Sequence, residues 1–117
     1  MPAPIQNRTY RSGLSSDTLQ ALRRELLKSG AFRNSGVVEN VFNDKRLLPW
    51  RYEIPMARNQ TAYVDAMINF LLEKYNIAYE NLLVVFLDGL SKSFAYEDPR
   101  RLELTRLMVR IAQELYQ

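Results

Sequence analysis

Apolar residues return every three or four positions along most of this chain, the period of a helix that buries one face. Leu19, Leu22 and Leu26 form the first stripe, with Leu27 beside them and Arg23, Arg24 and Lys28 facing elsewhere. Asp17 with Gln20 three residues on has the form of a capping box, and Ser16 is the other candidate cap. Gly30 suits the left-handed position after a helix and Lys28 suits its last turn, so this helix is predicted to end near Ser29. Residues 31–34 read as a turn with Phe32 pointing inward. Val38, Val41 and Phe42 make the face of a short second helix over residues 36–43, capped by Asn34 or Ser35, with Val37 at its edge. Its three valines lower intrinsic helicity, so tertiary packing has to hold it.

The pattern then breaks. Residues 44–55 read Asp-Lys-Arg-Leu-Leu-Pro-Trp-Arg-Tyr-Glu-Ile-Pro and hold the only Trp. Prolines at 49 and 55 forbid a regular helix through the segment, because proline lacks the N–H and clashes with the preceding turn. Yet Leu47, Leu48, Trp50, Tyr52 and Ile54 are too apolar for a solvated linker. The expectation is an ordered connector, plugged into a core by Trp50 as structural anchor, with a short helical turn at residues 44–48 capped by Asp44 and stopped by Pro49. A buried ring would make Trp50→Ala cost about 3–5 kcal/mol.

Helical periodicity returns after the connector. Val64, Ile68, Leu71 and Tyr75 lie on one stripe of a helix predicted over residues 61–75, capped by Asn59 or Thr61. Met67, Leu72, Tyr63 and Phe70 widen its apolar arc, so neighbours are expected on two sides. The run Leu82-Leu83-Val84-Val85-Phe86-Leu87 has the composition of a buried strand. Leu83, Phe86, Leu87 and Leu90 continue a helical period, however, and no second strand exists to pair with, so a helix is predicted over residues 79–94. Gly89 inside it points to a close helix contact or to fraying. Asp98 followed by Pro99 starts a last helix, whose stripe is Leu104, Leu107, Met108, Ile111 and Leu115. The predicted fold is a compact all-α bundle of five or six helices over residues 15–117, preceded by a flexible tail of residues 1–14 in which Ile5 and Tyr10 are the only anchors.

At 117 residues the chain has the size of one domain. It holds no Cys and no His, which removes disulfides, zinc fingers, thiol nucleophiles and Ser–His–Asp triads from consideration. No cofactor, metal or catalytic residue is expected. Asp65, Asn69 and Glu73 share one helix face but lack a second carboxylate helix, so they read as solvated polar positions. Ser91-Lys92-Ser93 reads as an ordinary polar turn, and the scattered glycines make no phosphate-cradling loop. No apolar run is long enough to span a membrane and residues 1–8 contain no signal-peptide core, so the expected compartment is the cytoplasm.

Charge is unevenly spread. Residues 1–60 carry ten Lys/Arg against five Asp/Glu, net +5; residues 61–117 carry six against eight, net −2, and the two give the overall +3. Arg8, Arg11, Arg23, Arg24, Lys28 and Arg33 raise the alternative of a small basic helical nucleic-acid-binding domain. Glu25 interrupts that run and no helix-turn-helix spacing stands out, so a protein-contacting face is preferred. The mixed charges around the connector, Asp44, Lys45, Arg46, Arg51 and Glu53, together with Arg23 and Arg24, are the candidate partner-binding residues.

Phe42-Asn-Asp-Lys-Arg-Leu-Leu-Pro-Trp-Arg, then Ile54-Pro, then Val64-Asp-Ala-Met-Ile-Asn-Phe-Leu-Leu-Glu-Lys, then Glu80-Asn-Leu-Leu-Val-Val-Phe-Leu resemble the bacterial effector-associated domains. These are small helical adaptor modules similar in shape to the death-fold superfamily that includes caspase-recruitment domains. The resemblance covers about residues 17–115. It implies a six-helix bundle with the connector as a short third helix, and a non-enzymatic role in bacterial defence or programmed cell death. That role is homotypic docking, which brings an effector such as a protease, caspase-like or TIR domain to a partner carrying a matching module. The first fourteen residues have no counterpart in it.

Overall fold

The computed structural model describes residues 13–116. The expected tail, including Ile5, Tyr10, Arg8 and Arg11, lies outside the described residues except for its last two positions. Five α-helices follow one another: α1 (Ser16–Ser29), α2 (Ser35–Val41), α3 (Gln60–Leu72), α4 (Leu82–Lys92) and α5 (Pro99–Leu115). Two 3-10 helices join them, Ala31–Arg33 between α1 and α2, and Leu48–Glu53 within the connector. Among the described residues there is no strand, only an isolated bridge between Tyr75 and Asn81.

Each α-helix begins on a side chain that accepts a hydrogen bond from one of its unpaired N–H groups: Ser15, Asn34, Asn59, Asn81 and Asp98. At α1 the cap is Ser15, not Asp17 or Ser16 as the pattern favoured. Ser15 N–H also donates to Glu114 Oε1 of α5 at 2.8 Å, a contact 99 residues away that local spacing does not reveal. At the other end of α1, Gly30 takes the left-handed conformation (φ 79°) as expected. Gly13 and Leu14, just before α1, pack on the bundle: Leu14 is buried in the core, and a Cβ at Gly13 would lie 2.5 Å from Leu115 Cδ2.

Two helix boundaries differ from the sequence reading for one shared reason. α3 stops at Leu72 rather than near Tyr75, and α4 starts at Leu82 rather than Tyr79. Buried Asn81 closes both ends: its Nδ2 donates to the Leu72 carbonyl at 2.8 Å, and its Oδ1 accepts from Leu83 N–H at 2.9 Å. One asparagine thus satisfies a terminal acceptor of α3 and a terminal donor of α4, and the residues between them loop out. In the connector the expected turn is present, closed by Leu47 and Leu48 N–H on the Asp44 carbonyl at 2.9 and 2.8 Å, and Pro49 ends it while opening a 3-10 helix, where a missing N–H costs nothing. Asp44 does cap the preceding turn, through Arg46 N–H at 2.8 Å.

The apolar run of residues 82–87 is helical, and α4 is buried on more than one side: Leu82, Leu83, Val85, Phe86, Leu87 and Leu90 all belong to the core. α5 lies along it most extensively, with α3 and α2 on its other sides. α3 touches α1 as well as α4, as its wide apolar arc required. Phe86 of α4 meets Phe42 and Phe32 at ring-centroid distances of 5.9 and 6.1 Å, and Phe32 stands edge-on to Tyr63 of α3 at 5.0 Å. Gly89 is the close approach the sequence pointed to: a Cβ there would come within 3.0 Å of Val41 Cγ1.

Gly89→Leu is therefore expected to destabilise the fold by about 1–3 kcal/mol through overpacking. Phe86→Ala should cost about 3–5 kcal/mol through loss of the central ring. Urea unfolding followed by circular dichroism checks both, and wild-type midpoints for either variant would contradict this packing.

Candidate interaction surface

The connector sets the surface. Of its apolar residues, Leu47 is fully buried, and Trp50 and Ile54 pack half-buried against the rim of the core. Leu48 and Tyr52 face solvent. The side chain that plugs the core is thus Leu47, and the indole covers its edge. Pro49 explains the division: by launching a 3-10 helix there, it turns the following side chains along the surface rather than into it.

Below the connector lies an ionic staple. Arg46 Nη2 contacts Asp44 Oδ2 at 2.8 Å and Asp88 Oδ2 of α4 at 2.9 Å, and its Nη1 lies 3.9 Å from Glu80. Lys92 adds a 3.2 Å contact to Asp88. Hydrogen bonding from Arg46 holds the Asp44 carboxyl below its ordinary range, against a smaller opposing effect of burial. Burial by itself would raise the Asp88 carboxyl, but hydrogen bonds from Arg46 and Lys92 outweigh it and the net shift is downward. The Arg46 guanidinium is raised in turn, chiefly by Asp44 and Asp88. Near the end of α5 Glu114 is also lowered: burial opposes, while Thr18, Ser15 and Arg110 prevail.

The remaining candidates fall on separate surfaces. Arg23 reaches across to Asp65 of α3 at 2.7 Å, which gives that aspartate an intramolecular partner. Arg24 lies 3.9 Å from Glu25 and faces α5 beside Arg106 and Arg110. Arg51 donates to Asn43 Oδ1 at 2.6 Å, while Lys45 and Glu53 are exposed without an ion partner among the described residues. Eight of the described basic side chains have a carboxylate within 4.0 Å: Arg23, Arg24, Lys28, Arg46, Lys92, Arg100, Arg106 and Arg110. Such exposed pairs add little stability, but they neutralise the surface locally. Of the six described basic side chains without a carboxylate partner, Lys45, Arg51, Arg58 and Arg33 lie at or beside the connector, while Lys74 and Arg101 lie over the Phe70 and Tyr96 rings elsewhere.

Three of those four, Arg33, Arg51 and Arg58, line an open groove of about 670 Å³ between the connector, the 3-10 turn and the start of α3. Sequence reasoning missed Arg33 and Arg58 as partners of Arg51, since only the path of the connector brings them together. Tyr52 and Met56, each 94% exposed, and half-buried Ile54 and Tyr63 form the apolar part of the groove. Glu39 is its one acid.

The residues considered for chemistry are engaged otherwise. Ser91 Oγ donates to the Asp88 carbonyl and Ser93 Oγ to the Leu90 carbonyl, leaving neither hydroxyl aimed at Lys92. Among the described residues no three acids gather as a metal site, and no helix is long and apolar enough to cross a membrane.

Taken with the fold, this is a capped, stapled helical bundle of the death-fold kind, with a charged and partly apolar surface. A family model described as Bacterial Death-like domain 1 matches residues 12–115, and the chain belongs to that family. Death-like domains mediate homotypic protein–protein interactions, and membership is consistent with protein partners. No curated protein and no solved structure matches the chain significantly.

Two measurements check this geometry. Leu47→Ala should cost about 3–5 kcal/mol and half-buried Trp50→Ala only about 2 kcal/mol, by urea unfolding. Asp44 and Asp88 have lowered carboxyls in the fold, so their contribution is complete above about pH 4, the unfolded value, and is lost as pH falls through their folded values. Arg46→Met should lower stability at neutral pH and flatten its decline below pH 4. An unchanged acid decline would contradict the staple.

Proposed function

We propose that this domain is a non-enzymatic adaptor that self-associates with, or docks onto, matching helical modules and so assembles effector proteins, in a bacterial defence or cell-death setting. The observation that carries the reading is the concentration of unpaired cations at the connector, around exposed Tyr52 and Met56, in a chain whose other basic side chains are mostly paired internally. Family membership supplies the class of activity. The uneven charge, net +5 over residues 1–60 and −2 over residues 61–117, favours contacts between unlike faces. Effectors of the protease, caspase-like or TIR kind suit such an adaptor.

The staple refines which charges serve partners. Arg46, Asp44 and Arg23 are already engaged in ion pairs within the domain, Arg46 with Asp44 and Asp88 and Arg23 with Asp65. Lys45, Arg51 and Arg58 are the charges available to a partner. Sedimentation velocity over a concentration series should show reversible self-association that weakens as salt rises. Lys45→Glu/Arg51→Glu/Arg58→Glu should reduce it by about tenfold or more, with an unchanged circular dichroism spectrum. Undiminished association of that variant would overturn the charged-face reading. A chain that stays monomeric but binds short duplex DNA with steep salt dependence would establish the nucleic-acid alternative instead.

A further inference from the structure

The loop between α3 and α4 is built rigidly. Asn76 Oδ1 accepts from Ala78 N–H at 2.9 Å and Glu80 N–H at 3.0 Å, Asn76 N–H donates to the Glu80 carbonyl at 3.0 Å, and Asn76 Nδ2 reaches Glu80 Oε1 at 2.8 Å. Tyr79 is held in the left-handed region (φ 64°), the one described non-glycine residue so placed. What this locked loop displays is apolar. Ile77 is 98% exposed at its tip and Tyr79 84% exposed beside it. A free isoleucine on a pre-ordered loop loses little conformational freedom on docking, the condition for a tight anchor.

Position completes the argument. The loop leaves the C-terminal end of α3, and the connector groove is built on its N-terminal end, through Gln60 and Tyr63. Thirteen helical residues separate the two by about 20 Å. The charges are complementary: Glu73 and Glu80 flank the apolar tip, Glu80 with Arg46 at 3.9 Å on its other side, whereas Arg33, Arg51 and Arg58 against Glu39 leave the groove at +2. Lys74, also in the loop, lies over the Phe70 ring at 4.5 Å.

We propose that the Ile77–Tyr79 knob of one copy seats in the connector groove of a second copy. Ile77 packs on Ile54 and Met56, and Glu80 faces Arg58. Knob and groove are different surfaces at opposite ends of one helix, so the contact is heterologous and leaves a free knob and a free groove on every pair, the geometry of a growing chain of subunits. This inference rests on the self-association proposed above.

The test uses two variants at exposed positions, Ile77→Asp on the knob and Met56→Asp/Arg58→Glu on the groove, compared by sedimentation velocity and light scattering. Each alone should be folded and should lose at least tenfold in self-association. Mixed in equal amounts, they should form a dimer and stop there, because one intact knob meets one intact groove. Wild-type association in either variant overturns this contact while leaving self-association standing. A mixture that stays monomeric also overturns it, since two copies would then be using one shared surface. A wild-type chain monomeric at every concentration overturns the self-association reading, and this inference with it.

Discussion

A helix that is apolar nearly all round has to be enclosed, and α4 imposes that requirement on the whole domain. Leu82, Leu83, Val85, Phe86, Leu87 and Leu90 leave it one narrow stripe toward water, Val84, Asp88 and Lys92. α5 covers its length, α3 and α2 close its other sides, and Gly89 lets α2 approach until Val41 fills the space a side chain would take. With α4 surrounded, the segments between helices are pushed to the periphery. The connector and the α3–α4 loop therefore become the outer features of the bundle, and these are the features that carry its interaction chemistry.

Polar groups then fix how the enclosing helices are joined. Arg46 ties the connector to α4 through Asp88, and Asn81 sets both where α3 stops and where α4 starts. Glu114 binds the first turn of α1 from the end of α5, through Ser15 N–H and the buried Thr18 hydroxyl. Each is a single side chain closing a contact between elements far apart in sequence. Four of the cations without a carboxylate partner among the described residues, Arg33, Lys45, Arg51 and Arg58, lie at or beside the connector, and three of them share one groove.

Much of this architecture was legible in the sequence. Heptad-like spacing located all five helices, Gly30 and Asp98–Pro99 marked ends correctly, and the helical period of Leu83, Phe86, Leu87 and Leu90 prevailed over the strand-like look of the run they sit in. The errors share a cause. Asn81 and Ser15 act through partners outside their own turn, and no local pattern records that Asn81 reaches back to Leu72. Tyr75 continues a helical stripe on paper, but Asn81 takes the Leu72 carbonyl and Asn76 takes the Ala78 and Glu80 amides. The surface was legible in kind rather than in detail. The connector stood out through Trp50 and its prolines, yet the residue that fills the core is Leu47. The grouping of Arg33, Arg51 and Arg58 exists only once the chain is folded.

The central claim is that this death-like domain recognises its own kind through two different ends. Titrating isotopically labelled protein with unlabelled protein, and following backbone amides by NMR, tests it most directly. The account predicts two separate groups of perturbed amides, one around residues 75–80 and one around residues 51–58, with α5 silent. A single perturbed surface, or perturbation centred on Arg24, Arg106 and Arg110, would contradict it.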